Sequence, residues 1–248
     1  MDSAEVTDPW IPLELALRAH VDGDAGAFVW VEADDGTREK LPAAHFFRSQ
    51  DELPAVEATA LTLCEGSVLD AGAGAGSHAL ILQARGFDVT ALDASAAAVE
   101  IMRRRGVRRA VLGDVFTHAG KPVDTLLLMM NGIGLAGTMA GLDRFLERAR
   151  DLVKPGGQIL FDSSDLRRSS DLLEQAGIRM RRRSGRYFGE VTFRMTYRGR
   201  MGAFFPWLFV DPGTLAMRCR RFGWESRVAF EEESGDYLAR VLYSYSKL

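Results

Sequence analysis

The sequence predicts an α/β protein on a doubly wound, mostly parallel sheet of seven strands, with an antiparallel β-hairpin inserted near residues 187–210. Three observations carry this expectation. Between Ser67 and Gln175, short apolar segments alternate with helical patterns at the spacing of parallel βαβ units. Within that stretch the run LLLMM, residues 126–130, is apolar throughout, as a strand buried on both faces must be. Residues 68–80, VLDAGAGAGSHAL, read as a strand, a glycine loop and a helix start.

Taken in order, Pro9 and Pro12 introduce an apolar stretch from Leu13 to Leu17 that predicts a short helix ending near Gly23. Residues 27–31, AFVWV, have strand composition, and Asp35-Gly36 supplies the positive φ of a tight turn before a second strand over 38–41. Ser49 and Glu52 form a capping-box pattern for a helix starting near Asp51. Its apolar positions Leu53, Val56, Ala60, Leu63 and Cys64 recur at helical spacing up to Gly66. Strands are expected over 68–70, 88–93, 109–113, 125–130 and 158–162, and helices over 77–85, 96–104, 142–152 and 165–175. Residues 187–210 are rich in aromatic and β-branched side chains, with Gly199 and Gly202 bracketing a turn, and predict two antiparallel strands. Asp211 and Pro212 open a helix through Phe222, and strands over 225–232 and 237–245 complete the seven.

At 248 residues the chain can bury one large core. A net charge of −3 supplies no global basic field, so nucleic acid is not an expected partner. Arginines cluster at 103, 104, 105, 108 and 109 and again at 179, 181, 182, 183 and 186, and both clusters are read as solvated surface and helix C-termini. Cys64 and Cys219 are read as core thiols, which argues against a disulfide framework or a zinc site. No apolar run approaches the ~18 residues of a membrane span, and the acidic start at Asp2, Glu5 and Asp8 is unlike a secretory signal. A cytoplasmic protein without membrane attachment is expected, and the arginine and alanine bias suggests a bacterial source.

The glycine loop departs from two common nucleotide signatures. A dinucleotide fingerprint needs a third glycine where Ser77 stands, and a Walker loop needs a Gly-Lys-Ser/Thr ending. The pattern present is D-x-G-x-G-x-G, with Asp70 closing the strand, Asp93 ending the next strand about twenty residues later, and Gly113-Asp114-Val115 ending the third. Met130-Asn131-Gly132 then follows the buried strand, and LVKPGG, residues 152–157, precedes the fifth. In order and spacing these five segments, over residues 65–165, resemble the class I S-adenosylmethionine-dependent methyltransferases.

The resemblance implies a Rossmann-like fold, S-adenosyl-L-methionine as cofactor and S-adenosyl-L-homocysteine as product. It places Gly72, Ala73, Gly74 and Gly76 beneath the methionine part and Asp70 at its ammonium. Asp93, with Ala94 beside it, meets the ribose hydroxyls. Asp114 and Val115 meet adenine, and Asn131 and Gly132 line the methyl-donor side. The segment HFFRS, residues 45–49, resembles a lid of small-molecule members, with Phe47 over the cofactor and Arg48 at its carboxylate. The chain then divides into a helix and hairpin cap, residues 1–50, and a methyltransferase domain, residues 51–248.

The acceptor is expected to be a small molecule, methylated at N, O or C. Nucleic-acid amino-methyltransferases of this fold carry an N/D-P-P-Y/F/W motif where this chain reads NGIG. Candidates for positioning the acceptor are Asn131, Asp162 and Tyr187, with Asp165 near the same sheet edge. The aromatic residues Tyr187, Phe188, Tyr197, Phe204, Phe205 and Trp207 are read either as a wall over the methyl group or as packing of an antiparallel pair against the sheet or a dimer partner. His45, His78 and His118 are not spaced as metal ligands, so no metal is expected. A protein or peptide methyltransferase docking through Arg179–Arg186, and a cofactor-binding protein without activity, are the alternatives. Either a monomer or a homodimer is compatible with the sequence.

Overall fold

The computed structural model describes residues 8–243; residues 1–7 of the expected cap and 244–245 of the last expected strand lie outside the described residues. In chain order the elements are α1 (Ile11–Val21), β1 (Phe28–Ala33), β2 (Arg38–Pro42), α2 (Ala55–Leu63), β3 (Ser67–Ala71), α3 (Ser77–Ala84), β4 (Asp88–Asp93) and α4 (Ala96–Arg105). Then come β5 (Ala110–Leu112), β6 (Val123–Leu128), α5 (Met139–Leu152), β7 (Val153–Ser164), α6 (Leu172–Arg183), β8 (Glu190–Tyr197), β9 (Arg200–Met201), β10 (Phe205–Leu208), α7 (Pro212–Arg221), β11 (Trp224–Glu231) and β12 (Asp236–Tyr243).

Seven strands form one sheet in the order β11-β12-β7-β6-β3-β4-β5. All neighbours from β7 to β5 run parallel, while β12 is antiparallel to both of its neighbours. The chain therefore winds outward from β3 in both directions. The carboxyl ends of β3 and β6, next to each other at the reversal, open the crevice in which such sheets bind ligands. Strand β6 is buried on both faces. Leu126 and Leu128 join a core with Phe145 of α5 and Leu215 of α7, and Leu127 joins the opposite core with Leu61 of α2 and Leu82 of α3.

A second sheet, antiparallel throughout, runs β10-β8-β1-β2, with β9 paired to β8. Here the structure differs from the expected separate hairpin insertion. Residues 190–208 make three short strands, and β8 pairs with β1, so the N-terminal hairpin and the insertion are one sheet. Alternating side chains on its inner face, Val29, Met195 and Phe205 among them, pack with Ala16 and Leu17 of α1.

Two helix starts also differ. The Ser49–Glu52 capping box forms, but on a single 3-10 turn. Pro54 forces Leu53 into an extended conformation, so α2 begins only at Ala55. The helix expected over 165–175 is a 3-10 turn capped by Asp165, and α6 starts after Asp171, whose carboxylate accepts from the amides of Leu173 and Glu174. The second arginine cluster is not uniformly solvated either. Arg181 is fully buried, its Nη1 2.7 Å from Asp34 Oδ1 and its Nε donating to the carbonyl of Phe188. That ion pair ties α6 to the β1–β2 turn. No helix among the described residues is long and apolar enough to cross a membrane.

Candidate active site

A cavity of about 460 Å³ lies between the carboxyl ends of β3, β4, β5 and β6 and the inner face of the second sheet, with α1 closing one side. Its floor begins at the glycine loop. Gly72, Gly74 and Gly76 all have positive φ. The amides of Gly72 and Ala73 donate to the carbonyl of Leu92, which docks the loop on β4. Gly76 caps α3, where a Cβ would stand 2.8 Å from Val107 and 2.9 Å from Met102, so no larger residue fits. It lies beneath the loop; Gly72, Ala73 and Gly74 themselves line the cavity.

Asp93 ends β4 with its carboxylate fixed by two amides, Gly74 N at 2.8 Å on Oδ2 and Ser95 N at 2.8 Å on Oδ1. Burial pushes its carboxyl above the ordinary value, and these two amides pull the other way. Ala94, Asp114 and Val115 line the cavity next to it, and Asp114 is oriented by the amide of Phe116.

At the other end lies a buried network in which Arg48 and Asp70, both expected at the cofactor, are joined by Glu57 and His78, which were not among the expected site residues. Glu57 of α2 is buried, with Arg48 Nη2 2.6 Å from Oε1 and His78 Nε2 2.6 Å from Oε2. Burial pushes Glu57 up, and the His78 and Arg48 contacts reverse this, leaving it below its ordinary value. For His78, burial pushes down, and the Glu57 and Asp70 carboxylates more than reverse it, so the imidazole is held above its ordinary value. Asp70 itself is 1% exposed. Burial pushes its carboxyl up to about 6, and its Oδ2 has no hydrogen-bond partner. Arg48, Glu57 and His78 line the cavity, while Asp70 lies behind its surface. The signal available in the sequence was the position of His78 in the first turn of the helix after the glycine loop; nothing local marked Glu57.

The lid segment is placed one residue out of step with the expectation. Phe46 lines the cavity against Gly74, where a Cβ would meet its ring at 3.1 Å. Phe47 instead packs on His20 with 4.5 Å between centroids and lies under the Arg105 guanidinium.

After β6 the chain makes a tight loop in which two residues other than glycine, Met130 and Asn131, have positive φ. This conformation is rare and costs of order 1–3 kcal/mol per residue. Asp162, at the end of β7, holds the loop by accepting from Asn131 N at 2.8 Å and Gly132 N at 3.4 Å. Met130 and Gly132 line the cavity; Asn131 turns its side chain toward the carbonyl of Leu208 and Asp162 stands behind the loop. Tyr187 does not line the cavity, because its hydroxyl donates to Asp211 Oδ2 at 2.6 Å beside α7.

Of the expected aromatic wall, Phe205 and Trp207 line the cavity, joined by Trp10 and Phe193. Trp207 lies against Gly134, where a Cβ would come within 2.1 Å of its ring. Phe188 packs between Arg167 and Arg182, and Phe204 is 56% exposed on the outside of the sheet. Tyr197 is buried in the core beneath that sheet. Among the described residues no group of three or more His, Cys, Asp or Glu is placed to hold a metal ion.

A family model described as a methyltransferase domain matches residues 68–157. The chain is similar to the structure of an S-adenosylmethionine-dependent methyltransferase from Bacteroides fragilis in complex with S-adenosyl-L-homocysteine. The two share 32% identity over 94% of each chain, with a TM-score of 0.82. Two more distant structures share the fold. One is CalS10, an amino pentose methyltransferase from Micromonospora echinaspora, at 17% identity over 82% of this chain and 95% of that one, with a TM-score of 0.53. The other is the glycopeptide N-methyltransferase MtfA, at 18% identity over 75% and 86%, with a TM-score of 0.54. No curated protein sequence matches the chain significantly.

Proposed function

The chain belongs to the S-adenosylmethionine-dependent methyltransferases, and we propose that it methylates a small molecule taken into the roofed cavity. The cofactor of the family is S-adenosyl-L-methionine, and the residues present fit it. Asp93 offers fixed carboxylate oxygens of the kind that accept ribose hydroxyls. The partnerless Oδ2 of Asp70 offers a buried negative charge beneath the glycine loop for the ammonium, directly or through water. Arg48, braced by Glu57, offers its remaining guanidinium hydrogens to the carboxylate. Asp114 and Val115, which line the cavity, are assigned to the adenine, and Gly132 and Met130, which also line it, to the donor side.

The carrying observation is that these polar strand ends and the apolar inner face of the second sheet share one cavity. An acceptor held between them is shielded from water and aligned with the donor. The bound cofactor supplies an activated methyl group, so the chain's contribution is alignment and exclusion of water; orientation alone is worth roughly 7–11 kcal/mol in well-aligned models. Asn131 and Asp162 act by fixing the loop on the donor side. The Arg179–Arg186 segment fits a protein-docking surface less well, because Arg181 is buried and Arg186 also reaches Asp34.

The test is transfer of label from methyl-labelled S-adenosylmethionine into separate metabolite and protein extracts, after calorimetric titration with S-adenosylmethionine and S-adenosylhomocysteine. Micromolar binding and labelled small molecules are expected. Label confined to protein bands would overturn the acceptor class. Binding of both ligands with no label in either extract would favour a non-catalytic role.

A further inference from the structure

Building on that small-molecule reading, we propose that the acceptor is an uncharged, planar, largely apolar molecule, and that the attacking atom is an aryl amine or weakly basic ring nitrogen. Such an atom carries a free lone pair at neutral pH. The cavity distributes its polar groups unevenly.

Every titratable side chain on the wall sits at the end formed by the parallel strands, α1 and the lid turn. Glu14 is bonded to Ser95 Oγ at 2.5 Å, and Ser95 lies beside Asp93. Asp114 is held by its own turn. Arg48, Glu57 and His78 are bonded to one another, Arg48 Nε donates to the carbonyl of His45, and His45 itself lines the cavity from the lid turn. The opposite wall is the inner face of the second sheet. It presents Val31, Leu41, Phe193, Met195, Phe205 and Trp207, none of them titratable. The rings of Trp10, Phe193, Phe205 and Trp207 form a continuous aromatic surface, with successive centroids 4.8–6.2 Å apart.

Three consequences follow. A carboxylate or phosphate on the acceptor would lose its water and find no cation on this wall; across the cavity stand Glu14, Asp93 and Asp114, and the cations there, Arg48 and His78, are already paired with Glu57. A nucleophile that must first lose a proton would find no base among the side chains of the second sheet; Glu14, one turn from Trp10 on α1, is engaged by Ser95 Oγ, and His45 stands in the lid turn. A protonated alkyl amine has no lone pair, whereas an aryl amine or weakly basic ring nitrogen does. In the transfer the nitrogen lone pair forms the N–C bond as the C–S bond breaks and its electrons leave on sulfur. The product nitrogen then carries the positive charge; an amine sheds its proton to solvent on release. Aromatic faces stabilise a cation developing beside them, and planar rings pack well on such a wall.

The test uses 3-aminoquinoline and quinoline-3-carboxylate, which share a ring system and differ in charge. Each is titrated calorimetrically into the protein saturated with S-adenosylhomocysteine. The amine should bind about tenfold or more tighter than the carboxylate. Trp207→Ala should weaken the amine by about fivefold, and Trp207→Phe should restore most of it, with S-adenosylhomocysteine affinity changed by less than about twofold. Equal binding of the two probes, or binding of neither, overturns the inference. In parallel, a metabolite extract sorted beforehand into acidic, neutral with weakly basic, and strongly basic fractions is offered with labelled cofactor. Label arising from the middle fraction supports the inference, and label arising from the acidic or strongly basic fraction overturns it while leaving the small-molecule reading intact. Label appearing only on protein would instead refute that reading.

Discussion

Replacing Asp70 with Asn should make the cofactor-free protein more stable at neutral pH and weaken its hold on the cofactor. Asp70 is 1% exposed, and burial raises its carboxyl from 3.8 to about 6. The folded value lies above the unfolded one. The group therefore favours folding below about pH 4, and that contribution is lost as pH rises through about 6. At about 1.4 kcal/mol per pH unit, ionisation in the folded protein is about 3 kcal/mol less favourable than in the unfolded chain. Asparagine removes that penalty, but its amide nitrogen inherits the partnerless position of Oδ2 at a cost of about 1–2 kcal/mol. The net gain is about 1–2 kcal/mol, or roughly 2–8 °C in Tm for a domain of this size. Thermal unfolding of ligand-free wild type and variant at pH 7.5 and pH 4.5 measures it. The variant should melt higher at pH 7.5, with the advantage gone at pH 4.5. S-adenosylhomocysteine should bind roughly 10- to 150-fold more weakly, the loss for a charge-assisted hydrogen bond. A variant less stable at both pH values, or one with unchanged affinity, would refute the reasoning.

Asp93→Ala should weaken S-adenosylmethionine binding by roughly 1.5–3 kcal/mol in calorimetry. Because burial raises the Asp93 carboxyl, wild-type affinity should decline with falling pH earlier than an ordinary carboxylate would cause, and Asp93→Asn should reduce that decline. Arg181→Met removes the buried partner of Asp34 and should cost about 3 kcal/mol, seen as a fall of roughly 6–12 °C in Tm, while S-adenosylhomocysteine affinity changes by less than about twofold.

The parallel half of the fold was legible because its signals are local. The alternation after Ser67 and the unbroken LLLMM run each report a short-range constraint, and β4 spans the expected Asp88–Asp93. The roof was harder to read. Nothing in residues 28–33 says that they pair with 193–196, since that pairing spans about 160 residues and both segments simply read as strands. Arg181 was misread for a related reason. A run of arginines at a helix end normally faces water, and only the placement of Asp34 and Asp35 turned one of them inward. The HFFRS segment shows the limit of a motif. Both phenylalanines fit an apolar lid, and which one faces Gly74 is decided by Arg105 and His20, which claim Phe47. Glu57 was invisible because a lone glutamate in a helix is ordinarily solvated.

The features that ordinary sequence rules would reject collect around the cavity. Asp70 is buried with an oxygen unpaired, Glu57 and His78 are buried as a pair, and Met130 and Asn131 hold left-handed backbone without glycine. Each would be penalised in an isolated element, and together they amount to several kcal/mol held in reserve. The surrounding structure holds them in place: β3 and β6 are packed on both faces, and Asp162 reaches the strained loop from a neighbouring strand. A chain selected for stability alone would place asparagine at 70 and glycine at 130 and 131. That it does not do so at three adjacent places beside one cavity is the reason to expect a ligand whose binding recovers the loss, and it is why the Asp70→Asn comparison separates a binding site from a merely imperfect core.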